Sequence, residues 1–195
     1  MRCLITGFAP MLGREYNVSW EVARTAGSAS RCACEIATVQ LPVSFSWAAE
    51  LLRQSVRRYS PDVVLMLGEY ASGSCIKLER IAVNLMDAIH PDCDGFLPDA
   101  ESIDPSLPAA YFSRLPLKTI RDAIAAEQIE VKISNSCGLY VCNRTYFEAL
   151  RLCTEEHSGI KTLFVHIPRE GISLNDCTKA VQTILMFLNR YEPNK

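Results

Sequence analysis

A chain of 195 residues, 49% hydrophobic and 22% charged, is long enough to bury a full core and has the balance of an ordinary globular domain. Its net charge of −2 and the lack of a long basic run argue against a nucleic-acid or polyanion partner. No apolar run approaches a membrane span, and the opening MRCLITGFAP is too short and too early broken for a signal peptide. Residues 1–195 therefore read as a single cytoplasmic domain. The nine cysteines are an odd count in a chain that is not short, which disfavours a secreted disulfide scaffold. Cys32 and Cys34 lack a second pair at metal-ligand spacing, so no metal is expected, and most cysteines should be small buried hydrophobes.

In chain order, Arg2 to Thr6 reads as a buried strand ended by Gly7. GFAPMLGREYN is a loop, and Asn17 or Ser19 caps a helix running to about Ala26. Glu35 to Leu41 is a second strand. Trp47 to Tyr59 is an amphipathic helix with Trp47, Leu51, Leu52 and Val56 near one stripe, ended by Pro61. Val63 to Leu67 is apolar throughout, which suits a sheet covered on both faces. Ile76 to Leu85 reads as one more strand, carrying Glu79. The stretch 91–109, with Pro91, Pro98, Pro105 and Pro108, is a long loop. A helix over Leu115 to Glu127, a short strand over Val131 to Ser134 and a helix over Gly138 to Glu156 follow. Lys161 to Ile167 is a strand stopped by Pro168, and Ser173 caps a last helix to about Tyr191.

Strands alternating with helices predict a three-layer α/β/α sandwich around a largely parallel, mixed and twisted sheet. TGFAPMLG is not a dinucleotide fingerprint and there is no P-loop, so no cofactor is expected. In such sheets, ligands bind at the carboxyl ends of strands. That rim would hold the loop after Thr6, the loop after Leu67 and the end of KTLFVHIP, where His166 lies. A rim histidine is a candidate base, though a core histidine held by hydrogen bonds fits the position equally well. His157 reads as a solvated helix end, and His90 sits beside the proline-rich loop. Cys142, near a helix start, would feel the partial positive charge that lowers a thiol pKa, and Cys137 lies just outside the same helix. These rules reduce nine cysteines to two without choosing between them. Glu79 reads most simply as a surface carboxylate beside Arg80. It becomes a candidate orienting acid once a cysteine and a histidine are also in play.

The stretches ITGFAP, SWE, LPVSF, IKLERIAVN, PAAYFSRLPLK, SNSCGLYVCN and FVHIP, in that order, resemble the pyroglutamyl peptidase I (pyrrolidone-carboxylate peptidase) family of cysteine peptidases. The resemblance implies that Cys142, the cysteine before Asn in VCN, is the nucleophile, with His166 as base and Glu79 as orienting acid. It makes Cys137 structural. It also implies hydrolysis of the amide after an N-terminal pyroglutamyl residue through a thioacyl-enzyme, with helix-start N–H groups for the oxyanion. A small peptide or acyl-amide substrate and self-association as a dimer or tetramer belong to the same expectation.

The implied substrate pocket comprises Phe8, Met11, Val43, Glu69, His90, Tyr140 and Val141, and it departs from the family pattern. Met11 stands for an aromatic, Leu12 for a glycine, Val43 for threonine, Glu69 for glutamine and Gly73 for arginine. Ile89 replaces an arginine and His90 an apolar residue. One reading is a pocket for a less acidic or more cationic ligand. The other is drift in an enzyme that still cleaves pyroglutamyl peptides. Outside these stand a related cysteine amidase with changed acyl specificity, a non-catalytic binding protein of the same fold, and a redox sensor using Cys137 and Cys142.

Overall fold

The computed structural model describes residues 1–28, 34–71, 73–156 and 159–192. Cys32 and His157 lie outside the described residues. The elements are β1 (Arg2–Phe8), α1 (Val18–Ser28), β2 (Glu35–Leu41), α2 (Trp47–Tyr59), β3 (Val63–Tyr70), β4 (Ile76–Glu79), β5 (Ile81–Val83) and β6 (Ala110–Phe112). They continue as α3 (Leu117–Ala125), β7 (Val131–Ser134), α4 (Val141–Arg151) with a π-helical turn over Leu152–Glu156, β8 (Lys161–Pro168) and α5 (Leu174–Arg190).

Six strands form one sheet in the order β2-β1-β3-β8-β4-β7. The strands β2, β1, β3 and β8 run parallel, while β4 is antiparallel to β8 and parallel to β7. Only residues 71–75 join β3 to β4, too short a link for a parallel crossover, so the chain reverses and the sheet is mixed. Successive side chains of a strand face opposite ways. Ile5, Leu65 and Val165 thus pack with α1, α3 and α5 in one cluster. Leu4, Met66 and Phe164 pack with α2 and α4 in another. Among the described residues, no helix is long and apolar enough to cross a membrane.

Local chemistry explains most boundaries. The Asn17 side chain accepts the Ser19 N–H (3.0 Å) at the start of α1, and Ser173 accepts the Asp176 N–H (3.1 Å) at the start of α5. Such caps are worth about 1 kcal/mol each. Ser60 ends α2 in the left-handed region at φ 43°.

Three expectations need correction. Ile76 to Leu85 is two strands in two sheets, because the chain changes partner at Arg80. Its N–H bonds Ser134 O, and its carbonyl takes the Ser113 N–H. Beyond it, β5 pairs with β6, an element the sequence reading missed. The helix drawn from Gly138 begins at Val141, since Gly138 at φ 76° is left-handed and starts no helix. The α2 stripe is centred on Ala48, Leu52 and Val56, and Trp47 is exposed. The proline-rich stretch is a long loop, as read, and it is tied down by side-chain hydrogen bonds. Asp92 accepts the N–H groups of Phe45, Asp94 and Phe96, and Asn84 bonds Asp104 O, Leu107 O and Asp104 N–H.

Candidate active site

Glu79 ends β4 and His166 lies near the end of β8. In the antiparallel register Glu79 sits opposite Phe164, and Lys77 opposite His166. Glu79 and His166 are therefore diagonal neighbours on one face, within side-chain reach. The Glu79 carboxylate is fully buried, and its Oε1 lies 2.8 Å from His166 Nδ1. A carboxylate only accepts, so Nδ1 carries the proton and Nε2 is left as an acceptor. Glu79 does not face solvent, and no ion pair with Arg80 forms. Phe164 (ring centroids 4.8 Å apart) and Tyr70 (6.0 Å) flank the imidazole.

Cys142 is the second residue of α4, the helix covering this same face. Two residues that the sequence reading did not single out fix that helix start. Buried Asn143 donates to Val83 O and Leu85 O and accepts from the Val83 N–H, all at 2.9 Å, tying α4 to β5. One turn past the cysteine, Tyr146 OH donates to Glu79 O at 3.0 Å. Gly68, paired in register with His166, leaves the space the thiol occupies. An added Cβ there would lie 2.6 Å from the Phe164 ring and 3.0 Å from Cys142 Sγ. A glycine closing an apolar strand run was the available signal. Cys137, which is buried, and Cys142, which is partly exposed, are both free thiols. Cys34 is disulfide-bonded, whereas seven described cysteines are free.

The electrostatics differ from the helix-start expectation. Burial, with Glu79 and Glu69 adding to it, pushes the Cys142 thiol up to about 12 against its own helix-start N–H. Desolvation of the charged form outweighs the helix field. With its pKa raised, Cys142 rests as a thiol, and a base would be needed to ionise it. Burial also raises the Cys137 thiol well above its ordinary value.

A cavity of about 160 Å³ opens on Cys142. Phe8, Met11, Val43, Glu69, Tyr140 and Val141 line it, with Leu12, Arg14, Asn17 and Arg169. His90 is elsewhere, in a neighbouring groove of about 410 Å³ with Ile89 and Leu139, and Leu12 and Tyr140 border both spaces. Tyr140 OH donates to Pro91 O at 2.9 Å and lies 3.5 Å from Met11 Sδ. Leu12 adopts φ 57°, a left-handed conformation costing about 1 kcal/mol for a side chain other than glycine. Glu69 does not present a free negative charge. Its Oε1 accepts from Arg14 and from Arg169 Nε (2.9 Å), and its Oε2 from the Val18 N–H (3.0 Å). These donors hold its carboxyl below the usual range although burial opposes them. The pocket is thus not made acidic by Glu69, which corrects the cationic-ligand reading.

A thiol, an imidazole and a buried carboxylate at the rim of an α/β sheet are the equipment for acyl transfer by cysteine. The family model described as pyroglutamyl peptidase matches residues 1–181. The pyrrolidone-carboxylate peptidase of Thermococcus kodakarensis is 39% identical over 86% of this chain and 81% of its own. That of Thermococcus onnurineus is 35% identical over 95% and 97%. The crystal structure of pyroglutamyl peptidase I from Bacillus amyloliquefaciens superposes with a TM-score of 0.92 at 30% identity, covering 97% and 95% of the two chains. The chain belongs to the pyroglutamyl peptidase family, a family of cysteine peptidases.

Proposed function

We propose that the protein removes N-terminal pyroglutamyl residues from peptides, with Cys142 as nucleophile, His166 as general base and Glu79 as the group that orients and charge-stabilises the imidazole. The observation that carries this is the buried 2.8 Å contact between Glu79 and His166 on the sheet face that α4 and Cys142 cover.

His166 Nε2 takes the thiol proton as Cys142 Sγ bonds to the acyl carbon, so the raised thiol pKa is overcome at the moment of attack rather than beforehand. Glu79 balances the imidazolium charge in a site with little solvent. The Val141 and Cys142 N–H groups, among the first of α4 and so without intrahelical partners, would hold the developing oxyanion. The imidazolium proton goes to the leaving amine. Water, deprotonated by the same imidazole, then hydrolyses the thioester. Phe8, Met11, Val43 and Tyr140 supply the apolar walls for the lactam ring.

The test is release of a fluorescent amine from a pyroglutamyl amide by the wild type and by Cys142→Ala in parallel. Turnover by the wild type alone is expected. Equal release by both would overturn the assignment of the nucleophile. No release by the wild type, with Cys142 still open to alkylation, would redirect the site to another acyl group.

A further inference from the structure

Glu69 is one carboxylate shared by two guanidinium groups, and all three residues line the cavity that opens on the thiol. Its side chain is 5% exposed, whereas those of Arg14 and Arg169 are 27% and 39% exposed. The negative charge is therefore the inner member and the positive charges face the opening. Among the described residues, neither arginine forms an ion pair with a second acid, so the cluster carries one uncompensated positive charge. Arg169 bonds Glu69 through Nε alone. Its two terminal nitrogens keep the planar fork that binds a carboxylate with two parallel hydrogen bonds. Among the described residues, no other charged side chain lines this cavity.

We propose that Arg169, set by Glu69 and supported by Arg14, is a specificity residue that selects substrates carrying a carboxylate on the residue after the scissile amide. The apolar walls already suit an uncharged ring, so an acidic group belongs to the leaving side. This rests on the peptidase reading above for its substrate, but the charge at the cavity mouth can be tested without it.

Two measurements separate the proposals. In the first, kcat/KM is compared for pyroglutamyl-Asp and pyroglutamyl-Asn peptides, which differ in charge but hardly in shape. The wild type should favour the acid by about tenfold, charge-assisted bonds being roughly twice as strong as neutral ones. Arg169→Gln should bring the ratio near one, Arg169→Lys should restore part of it, and added salt should shrink it. In the second, Cys142 is alkylated with iodoacetate and with iodoacetamide, and the rate ratio is compared with that of a free small thiol. Fragment-ion mass spectrometry assigns the label to Cys142 rather than Cys137. The protein should raise the ratio several-fold, and Arg169→Gln should abolish the rise.

Equal cleavage of acid and amide peptides would sink the selectivity claim and leave the peptidase reading standing. Cleavage of neither, with a raised iodoacetate ratio, would remove the peptidase reading and keep the anion-selecting mouth. An Arg169→Gln variant that lowers both substrates equally, with an unchanged alkylation ratio, would reduce Arg169 to a structural anchor and overturn the proposal.

Discussion

Replacing Glu79 by Gln keeps the shape of the buried pair and removes its charge. In the resting state the loss is small. A neutral amide still offers an oxygen to the His166 Nδ1–H, and the native carboxylate already leaves Oε2 without a partner. A buried charge so incompletely paired contributes little net stability. Folding should change by about 1 kcal/mol at most, in either direction, or about 2–4 °C in Tm. The transition state differs, because in the proposed mechanism His166 then carries a proton from Cys142. An imidazolium beside a neutral amide has lost its buried counter-charge, worth about 3–5 kcal/mol. At about 1.4 kcal/mol per decade, kcat/KM should fall roughly 10²- to 10⁴-fold. Pyroglutamyl-amide turnover and a thermal melt of the same preparation read both quantities. A variant within about threefold of the wild type would refute the role given to Glu79. A fall in Tm of about 10 °C or more would make the carboxylate chiefly structural, contrary to the reasoning from its unpartnered oxygen.

Other consequences follow from the packing. Burial raises the thiols of Cys3, Cys142 and Cys177 to about 12 from an ordinary 9.0. A raised folded-state pKa gives stability that is complete below the unfolded pKa and lost as pH climbs through the folded one. Urea midpoints should therefore hold up to about pH 9 and fall steadily toward about pH 12, and a midpoint rising over that window would contradict it. Asn143→Ala strands Val83 N–H, Val83 O and Leu85 O together. It should cost about 2–4 kcal/mol in a denaturant titration, whereas a change within about 0.5 kcal/mol would show that α4 is anchored elsewhere. Gly68→Ala sets a methyl against Cys142 Sγ and the Phe164 ring. About 1–3 kcal/mol of overpacking is expected, with a loss of turnover larger than the loss of stability. Full activity would mean the thiol does not need that space.

Much of the fold was legible because its signals are local. The bounds of β2, α2 and β7 agree with the sequence reading, set by apolar period, by Pro61 and by β-branched content. Asn17 and Ser173 act as the caps their side chains suggested. The alternation of strand and helix likewise specified a sheet covered on both faces. The resemblance in seven short stretches pointed to the family that the comparisons then showed. What the residues by themselves left open were outcomes of long-range pairing. Glu79 and His166 are 87 positions apart, and they meet only because a short link forces β4 to run antiparallel beside β8. The same strand taken alone offered no reason to bury its glutamate. Helix-start chemistry suggested a lowered thiol pKa. Desolvation, which depends on what packs around Cys142, sets the opposite sign. Glu69 in isolation is a negative charge. Only tertiary structure brings Arg14 and Arg169 onto it and pairs that charge. Composition, period and caps act within a few residues and can be read in order along the chain. Burial, register and net local charge belong to residues that the folded sheet brings together, so they were decided there.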